Sequence, residues 1–210
     1  MKQHDNDNLD VNEFYVDPLR SQELHRQFAN AMAGLRETEA LTQDELAQLS
    51  CNYTFLDQAC LSGVQIQHLE TPGAYKDMAS AALFIKTCLA YSDSSYLGLF
   101  REDDPDNPGE GSPLCVIKDT PDLKKYEELI DSYKKHWPRR QFARALGALR
   151  HQEGLRQDAL AQFIGVDTRN VELLEAVTHQ TDLEVAGRTI EALAGYRLNR
   201  YNNHHRGNTP

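Results

Sequence analysis

The sequence predicts an all-α protein built from two copies of one helical unit. Residues 26–48 and 140–162 match at 14 of 23 positions without a gap, where composition alone would give roughly one or two matches. In both copies, apolar residues recur every three or four positions, as they do along one face of a helix. The 210 residues suit two small domains of ~60–80 residues each with a connector between them.

The first predicted domain covers residues 17–91 and follows a flexible, acidic N-terminus at 1–16. Asp17 and Pro18 mark its start, because an acidic cap followed by proline in the first turn is typical of a helix N-terminus. The apolar face of this first helix consists of Leu24, Phe28, Met32 and Leu35.

Two further helices are predicted in this domain. Thr42 and Glu45 have the spacing of a capping box and begin the second helix. Residues 52–70 have no clear periodicity, and residues 74–91 form a strongly apolar helix.

The segment 92–137 is predicted to be an acidic linker followed by a connector helix. Its loop at 101–113 separates two short apolar runs, 96–100 and 114–117, that are compatible with a small β-hairpin. The helix at 121–137 is amphipathic, and its apolar face must pack either on the chain's own domains or in a dimer seam. That face consists of Leu123, Tyr126, Ile130, Tyr133 and Trp137.

The second predicted domain, 138–200, begins with a helix that starts at Pro138. The later elements are predicted as helices at 156–163 and 168–176 and as one or two helices within 183–198. A flexible polar tail at 201–210 is expected to complete the chain.

The strongest motif lies in this second domain and has the pattern of a helix-turn-helix. Two helices that cross steeply over a short turn need a small residue at the crossing, a glycine in the turn and a branched apolar residue on the second helix. Ala161, Gly165 and Val171 meet these needs at spacings of four and six. Asp167 is placed to cap the helix that follows the turn. The surrounding core positions are Leu160, Ile164, Val166 and Leu174.

This region resembles the lambda-repressor-like (Cro/C1, or XRE) family. The resemblance is carried by Leu149-Arg150, Leu155, Gln157, Leu160-Ala161, Gly165-Val166 and Glu175. It covers about 60 residues at the C-terminus and, more weakly, residues 24–91. It implies two five-helix lambda-repressor-like domains and binding to double-stranded operator DNA, commonly as a homodimer on a palindrome.

The resemblance also implies a DNA-reading surface. Carried over by position, the base-reading residues are Thr168, Arg169 and Asn170. Arginine can bind guanine and asparagine can pair with adenine in the major groove. Gln157 matches the family's phosphate-binding glutamine, and the further candidates for phosphate contacts are Arg156, Arg139 and Arg140. The alternative is that these are ordinary solvated residues of a domain that does not meet DNA, because Asp158 and Glu172 nearby would repel phosphate.

The first repeat departs from this pattern after Gln48. Counted without a gap, Cys51 stands at the glycine position and Asp57 at the branched apolar position. Alternatively, residues 51–59 are an insertion and Gly63-Val64 aligns with Gly165-Val166, which leaves a short third helix without arginine or lysine. Two interpretations stay open: a degenerate copy kept for packing, dimerisation or partner binding, and a second DNA reader.

Charge and cysteine content narrow the function classes. The net charge is −10, but residues 139–196 hold seven arginines against eight acids, so that only the C-terminal third has enough cations for a phosphate surface. No signal peptide or membrane-spanning segment is apparent. The four cysteines are expected to be reduced thiols of a cytoplasmic protein. No catalytic, cofactor-binding or metal-binding motif is present, so an enzyme is not expected.

Three hypotheses follow. The first is a sequence-specific transcriptional regulator that reads DNA through the second repeat. In this hypothesis, residues 17–91 or 121–137 form the homodimer or contact a protein partner. The second is an acidic protein-binding module, an anti-activator or DNA-surface mimic, which the overall negative charge favours. The third is an antitoxin that binds its toxin and its own operator.

Overall fold

All the regular secondary structure in the described part of the chain is helical, as the sequence predicts. The structure, a computed structural model, describes residues 18–52, 59–74, 76–93, 123–176 and 182–206. Across these ranges the chain forms eight helices and no strand. The helices are α1 (Pro18–Thr38), α2 (Gln43–Ser50), α3 (Gly63–Glu70), α4 (Met78–Ser92), α5 (Leu123–Gln152), α6 (Gln157–Ile164), α7 (Thr168–Glu175) and α8 (Leu183–Arg206).

The two repeats have the same order of elements. Helices α1–α4 form repeat one, and repeat two consists of the C-terminal part of α5 together with α6–α8. Asp77 caps α4 by accepting hydrogen bonds from backbone N–H groups, and Asp182 accepts equivalent bonds at the start of α8. Repeated caps at corresponding helix starts show that the sequence similarity extends to local structure beyond the segments 26–48 and 140–162.

The repeats are interleaved rather than separate. Helix α1 packs most extensively on α8, and α4 packs most extensively on α5, so each repeat's first helix lies against the other repeat's last helix. Phe28 and Phe142 occupy equivalent positions and face each other, with ring centroids 6.0 Å apart, inside the 4.5–7 Å range of favourable aromatic pairs. This is the contact pattern of a two-fold pair. The buried apolar side chains of both repeats accordingly form one core.

Helix α5 continues through the expected helix start at Pro138. The helix runs without a break from Leu123 to Gln152, so the predicted boundary between residues 137 and 138 is not a helix end. Proline within a helix removes one backbone hydrogen bond. The long contact with α4 provides packing that can offset this loss. At the described end of the predicted amphipathic face, Trp137 lies beside α4 residues of its own chain, which favours docking on the chain's own domains.

A buried ionic cluster joins the two repeats. Glu39 and Glu153 follow the first helix of their repeats at equivalent positions, and both approach Arg197 of α8, at 2.8 Å and 3.2 Å respectively. All three residues are buried. Arg197 also donates to Gln152, and the Ser92 hydroxyl donates to Glu39. One arginine therefore neutralises charge from both halves of the core.

The turn of repeat one contains an insertion that is closed by a disulfide. Cys51 and Cys60 are bonded, with their Cα atoms 4.7 Å apart, so the expectation of reduced thiols is wrong for this pair. Only Cys88 among the described cysteines is a buried free thiol. The Ser50 hydroxyl accepts the backbone N–H of Leu61 at 2.8 Å and joins the two ends of the insertion. The loop sequence gave no indication of this pairing, because a nine-residue spacing is not diagnostic.

Other differences concern the ends of elements. Helix α8 is a single helix and extends to Arg206, into the segment predicted to be a flexible tail. The predicted hairpin runs at 96–100 and 114–117, and the N-terminus at 1–16, lie outside the described residues.

Candidate nucleic-acid interface

The segment from α6 through the turn to α7 in repeat two has the local geometry that its sequence predicts. Gly165 ends α6 with a φ of 70°, a left-handed conformation that glycine adopts without steric cost. Ala161 and Val171 are completely or almost completely buried where α6 and α7 pack together. The Asp167 side chain accepts the backbone N–H of Arg169 at 2.7 Å and caps α7. The N-terminal turn of α7 is thus fixed at the protein surface.

A buried ion pair holds this motif against α5. Arg150 donates two hydrogen bonds to the Glu175 carboxylate, both at 2.7 Å, and a third to the carbonyl of Leu155 at 2.7 Å. The Gln157 amide donates to the same carboxylate at 2.8 Å. A bidentate arginine–carboxylate pair is both strong and directional, so the network fixes the start of α6 relative to the end of α7.

Repeat one has the same network. Arg36 donates to Glu70 at 2.7 and 2.9 Å and to the carbonyl of Leu41 at 2.7 Å. Gln43 donates to Glu70 at 2.8 Å. The hydrogen bond to Glu70 raises the pKa of Arg36 above its ordinary value. Identical bonding in both repeats identifies α3 as the structural counterpart of α7.

This correspondence corrects the alignment of repeat one. Because Glu70 occupies the place of Glu175, Gly63 corresponds to Thr168, and Ser62 corresponds to the capping Asp167. The insertion predicted at 51–59 is therefore present, but the pairing of Gly63-Val64 with Gly165-Val166 is wrong by three residues. Cys60 stands at the place of Gly165 instead.

Several predicted residues of repeat two surround one open depression of about 690 Å³. Its lining consists of Arg150, His151, Arg156, Gln157, Asp158, Thr168, Glu172, Glu175 and Ala176. Two arginines against three carboxylates give these side chains a formal charge of −1 when histidine is neutral. The depression is therefore not strongly cationic.

The candidate base-reading residues are accessible. Arg169 has a side chain that is 68% exposed and lies 3.3 Å from Glu172, and Asn170 next to it is exposed. Thr168 is half-buried in the wall of the depression. The ion pair of Arg169 is solvent-exposed, and such pairs contribute only ~0–1 kcal/mol, so Arg169 can exchange its carboxylate for a stronger ligand.

The candidate phosphate contacts divide into two groups. Arg156 is 84% exposed at the start of α6, where it lies 3.1 Å from Asp158. Gln157 is half-buried, and its amide N–H is already used by Glu175. Arg139 and Arg140 lie in α5, ten or more residues before Arg150, which is about 15 Å along a helix, and they do not line the depression. Their role as phosphate contacts therefore stays a prediction that is separate from the depression.

The equivalent surface of repeat one has fewer cations. Glu37 replaces His151, and Thr42 replaces Arg156. On α3, Val64 stands in the place of Arg169 and is 60% exposed, with Gln65 beside it. The exposed face of α3 therefore carries no arginine or lysine, in agreement with the sequence expectation for this helix.

The residues that sequence reasoning missed are those that position the motif. Arg150 and Glu175 are among the residues that carry the sequence resemblance, but the resemblance does not predict their bond to each other. The repeated Arg36 and Gln43 offered a clue, because both are retained in the repeat that lost the glycine turn. Because repeat one keeps Arg36 and Gln43 without the glycine turn, these two residues are expected to have a structural role.

Comparison of the chain with protein-family models, with curated proteins and with solved structures found no match. Within the described residues, no group of three histidine, cysteine, aspartate or glutamate side chains is arranged to hold a metal ion. Among the helices described, none has the length and apolar character needed to cross a membrane.

Proposed function

We propose that the protein is a sequence-specific DNA-binding regulator whose second repeat reads the major groove. The observation that carries the proposal is the capped, exposed N-terminal turn of α7, held in place by a buried arginine–glutamate network. A helix-turn-helix reads DNA through this turn, because its side chains reach the base edges while the preceding helix lies across the backbone. Thr168, Arg169 and Asn170 are the proposed base-reading residues.

Backbone contacts are proposed from the start of α6. Arg156 is exposed there and can bind phosphate, and Gln157 acts mainly by ordering the turn. Arg139 and Arg140, which do not line the depression, stay candidates for phosphate contacts beyond it. With few cations available, the affinity should depend on base contacts more than on charge. The expected salt dependence is correspondingly shallow for a DNA-binding protein.

In a homodimer, two copies of the DNA-binding domain come from two chains. We propose that repeat one takes the place of the second copy within this single chain. Its α1 and α4 pack against α8 and α5 in the pattern of a two-fold pair. One chain would therefore replace the homodimer expected from the sequence. Since the exposed face of α3 carries no arginine or lysine, repeat one would contribute shape and weak contacts rather than strong base reading.

The proposal is tested by measuring how tightly the protein binds a labelled DNA duplex that has been selected from a random library. Arg169→Ala should weaken binding by about 1–3 kcal/mol and relax the preference at one base pair, since arginine binds guanine through two hydrogen bonds. Arg188→Ala is the matched control, because Arg188 is a partly exposed arginine in an i,i+4 ion pair on α8 and lies outside the proposed interface. Equal binding by both variants would overturn the assignment of α7.

A second candidate function is an acidic protein-binding module, such as an anti-activator, a DNA-surface mimic or an antitoxin. The observation that favours it is the charge of −10, together with the carboxylates in and around the depression. On this alternative, duplex DNA would not bind even at low salt, and a basic protein partner would bind instead with a strong dependence on salt. A cytoplasmic location remains a prediction under both functions.

A further inference from the structure

The buried ionic cluster around Arg197, where the two repeats meet, is asymmetric. Glu39 and Glu153 stand at equivalent positions of the two repeats, and both approach the same arginine. The position of Arg197 is occupied in repeat one by Ser92. Ser92 is the last of the 15 residues of α4, and Arg197 stands at the same place counted from the first residue of α8. From these four positions, the paired surfaces contribute two carboxylates and one cation.

The contacts of Ser92 and Arg197 support their equivalence. The Ser92 hydroxyl donates to Glu39, the glutamate of its own repeat, at 2.6 Å. Arg197 lies 3.2 Å from Glu153, the glutamate of its own repeat, and also reaches Glu39 at 2.8 Å. Both side chains therefore point towards the centre of the pair, and the longer arginine crosses to the carboxylate of the other repeat.

The charges of the cluster disfavour a pair made from two copies of repeat one. Such a pair would bring together two carboxylates at the position of Glu39 and two serines at the position of Ser92, without an arginine. Glu39 is buried in the observed pair. A buried carboxylate that has lost its cation strongly destabilises a folded structure, because it has given up water without gaining a partner. Repeat one therefore needs a partner that carries an arginine.

The sizes of the side chains disfavour a pair made from two copies of repeat two. Arg197 is 3% exposed, lies between the two carboxylates and also donates to Gln152, while the small Ser92 stands on the opposite side. Two copies of repeat two would place a second arginine where this serine stands. Two guanidinium groups in one buried cluster repel each other, and additional atoms in a packed core cost stability. An arginine opposite a serine thus favours the pairing of unlike repeats.

We propose that Arg197 makes the pairing surface selective, so that repeat one fits a repeat that brings an arginine and excludes a second copy of itself. A single polar residue at a buried contact can decide which helices associate, at some cost in stability. Selectivity arises here because each like pair would contain either an uncompensated charge or an overfilled core. The partner of repeat one is therefore repeat two, and each pair contains one α3 and one α7. The selection does not rest on the proposed DNA binding.

An exchange of the two side chains tests the proposal in the full-length chain. Arg197→Ser should lower the midpoint of thermal unfolding by about 6–20 °C, as expected for a broken buried ion pair in a chain of this size. Ser92→Arg alone should also lower the midpoint, because the cluster then holds two arginines. The double variant has one arginine opposite one serine again, and it should recover about half or more of the loss caused by Arg197→Ser. Two substitutions that merely damage the structure independently would add their losses instead.

A matched control places the new arginine one residue away. Tyr91 is 50% exposed at the end of α4, so the arginine of Tyr91→Arg would lie in solvent rather than in the cluster. Combined with Arg197→Ser, it should give no recovery. Far-ultraviolet circular dichroism follows the thermal unfolding of every variant.

The proposal is wrong if the exchanged chain is no more stable than Arg197→Ser, or if Tyr91→Arg restores stability equally well. A midpoint raised by Ser92→Arg alone would also overturn it, because the cluster would then have room for two arginines. If Arg197→Ser fails to fold, a folded double variant still supports the proposal, and a double variant that also fails to fold contradicts it.

Discussion

Substitution of Gly187 by alanine tests the close crossing of α1 and α8 that joins the two repeats. A Cβ at this position would lie 3.2 Å from the nitrogen and 3.3 Å from the Cα of Phe28. These neighbours are backbone atoms of a helix, so they cannot rotate away as a side chain could. Overpacking of this kind costs typically ~1–3 kcal/mol, whereas alanine gains about 1 kcal/mol over glycine in helix propensity.

Gly195 provides the matched control within the same helix. It is exposed, and a Cβ added there would meet nothing within 4 Å. Gly195→Ala should therefore gain up to about 1 kcal/mol from propensity alone. The free energy of unfolding of Gly187→Ala should lie about 1–3 kcal/mol below that of Gly195→Ala, which is the overpacking cost by itself.

Urea unfolding followed by far-ultraviolet circular dichroism measures both variants. The linear extrapolation of each transition gives the free energy of unfolding, and unchanged slopes show that both variants unfold the same structure. If Gly187→Ala were as stable as Gly195→Ala, the two helices would not cross as closely as described, and the interleaved pairing of the repeats would be in doubt.

Three further predictions concern stability. Arg197→Met should cost about 3–5 kcal/mol, because it removes the cation that the buried Glu39 and Glu153 share. Arg188→Met, on the surface of the same helix, should cost under about 1 kcal/mol, and urea unfolding compares the two variants. Lys76 donates to three carbonyls at the end of α3, and burial lowers its pKa to about 8. In the unfolded chain this lysine keeps its proton up to about pH 10.5. Between about pH 8 and 10.5 the unfolded chain therefore binds more protons than the folded one, so the free energy of unfolding should rise with pH. Lys76→Met should lack that rise when unfolding is measured over a pH series. In the double variant Cys51→Ser, Cys60→Ser the free energy of unfolding should fall by about 2.5 kcal/mol, which is the loop-closure entropy term for a nine-residue span. A reductant should lower the free energy of unfolding of the original protein by the same amount and leave that of the variant unchanged.

Local features of the fold could be predicted from the sequence because short-range physics determines them. The capping box of Thr42 and Glu45, the positive φ of Gly165 and the burial of Ala161 and Val171 follow from residues close together in the chain. Such features need only the identity of a few neighbours. All of them agree with the sequence expectation.

The pairing of the repeats could not be predicted, because it depends on contacts between distant residues. Phe28 and Phe142 were both assigned to apolar faces, but nothing in their spacing shows that they meet each other. Pro138 suggested a boundary because proline usually disfavours a helix interior, and the packing of α5 on α4 overrides that preference.

The candidate site was predicted in part. Position in a family pattern correctly indicated that Arg169 and Asn170 would be exposed at the start of a helix. Arg139 and Arg140 are candidate phosphate contacts because they are basic, and they lie in α5 ten or more residues before Arg150. The distance along a helix is fixed by its rise per residue, so this separation could have been calculated once the helix was known to be continuous.

Selection of bound duplexes from a random DNA library, with the purified full-length chain at low salt, tests the central claim most directly. The account predicts an enriched site with strong base preferences in one half-site, read by repeat two, and weak preferences in the other. Failure to enrich any sequence would contradict DNA reading by α7. An enriched palindrome with equally strong halves would contradict the single-chain pair, because it would require two copies of repeat two.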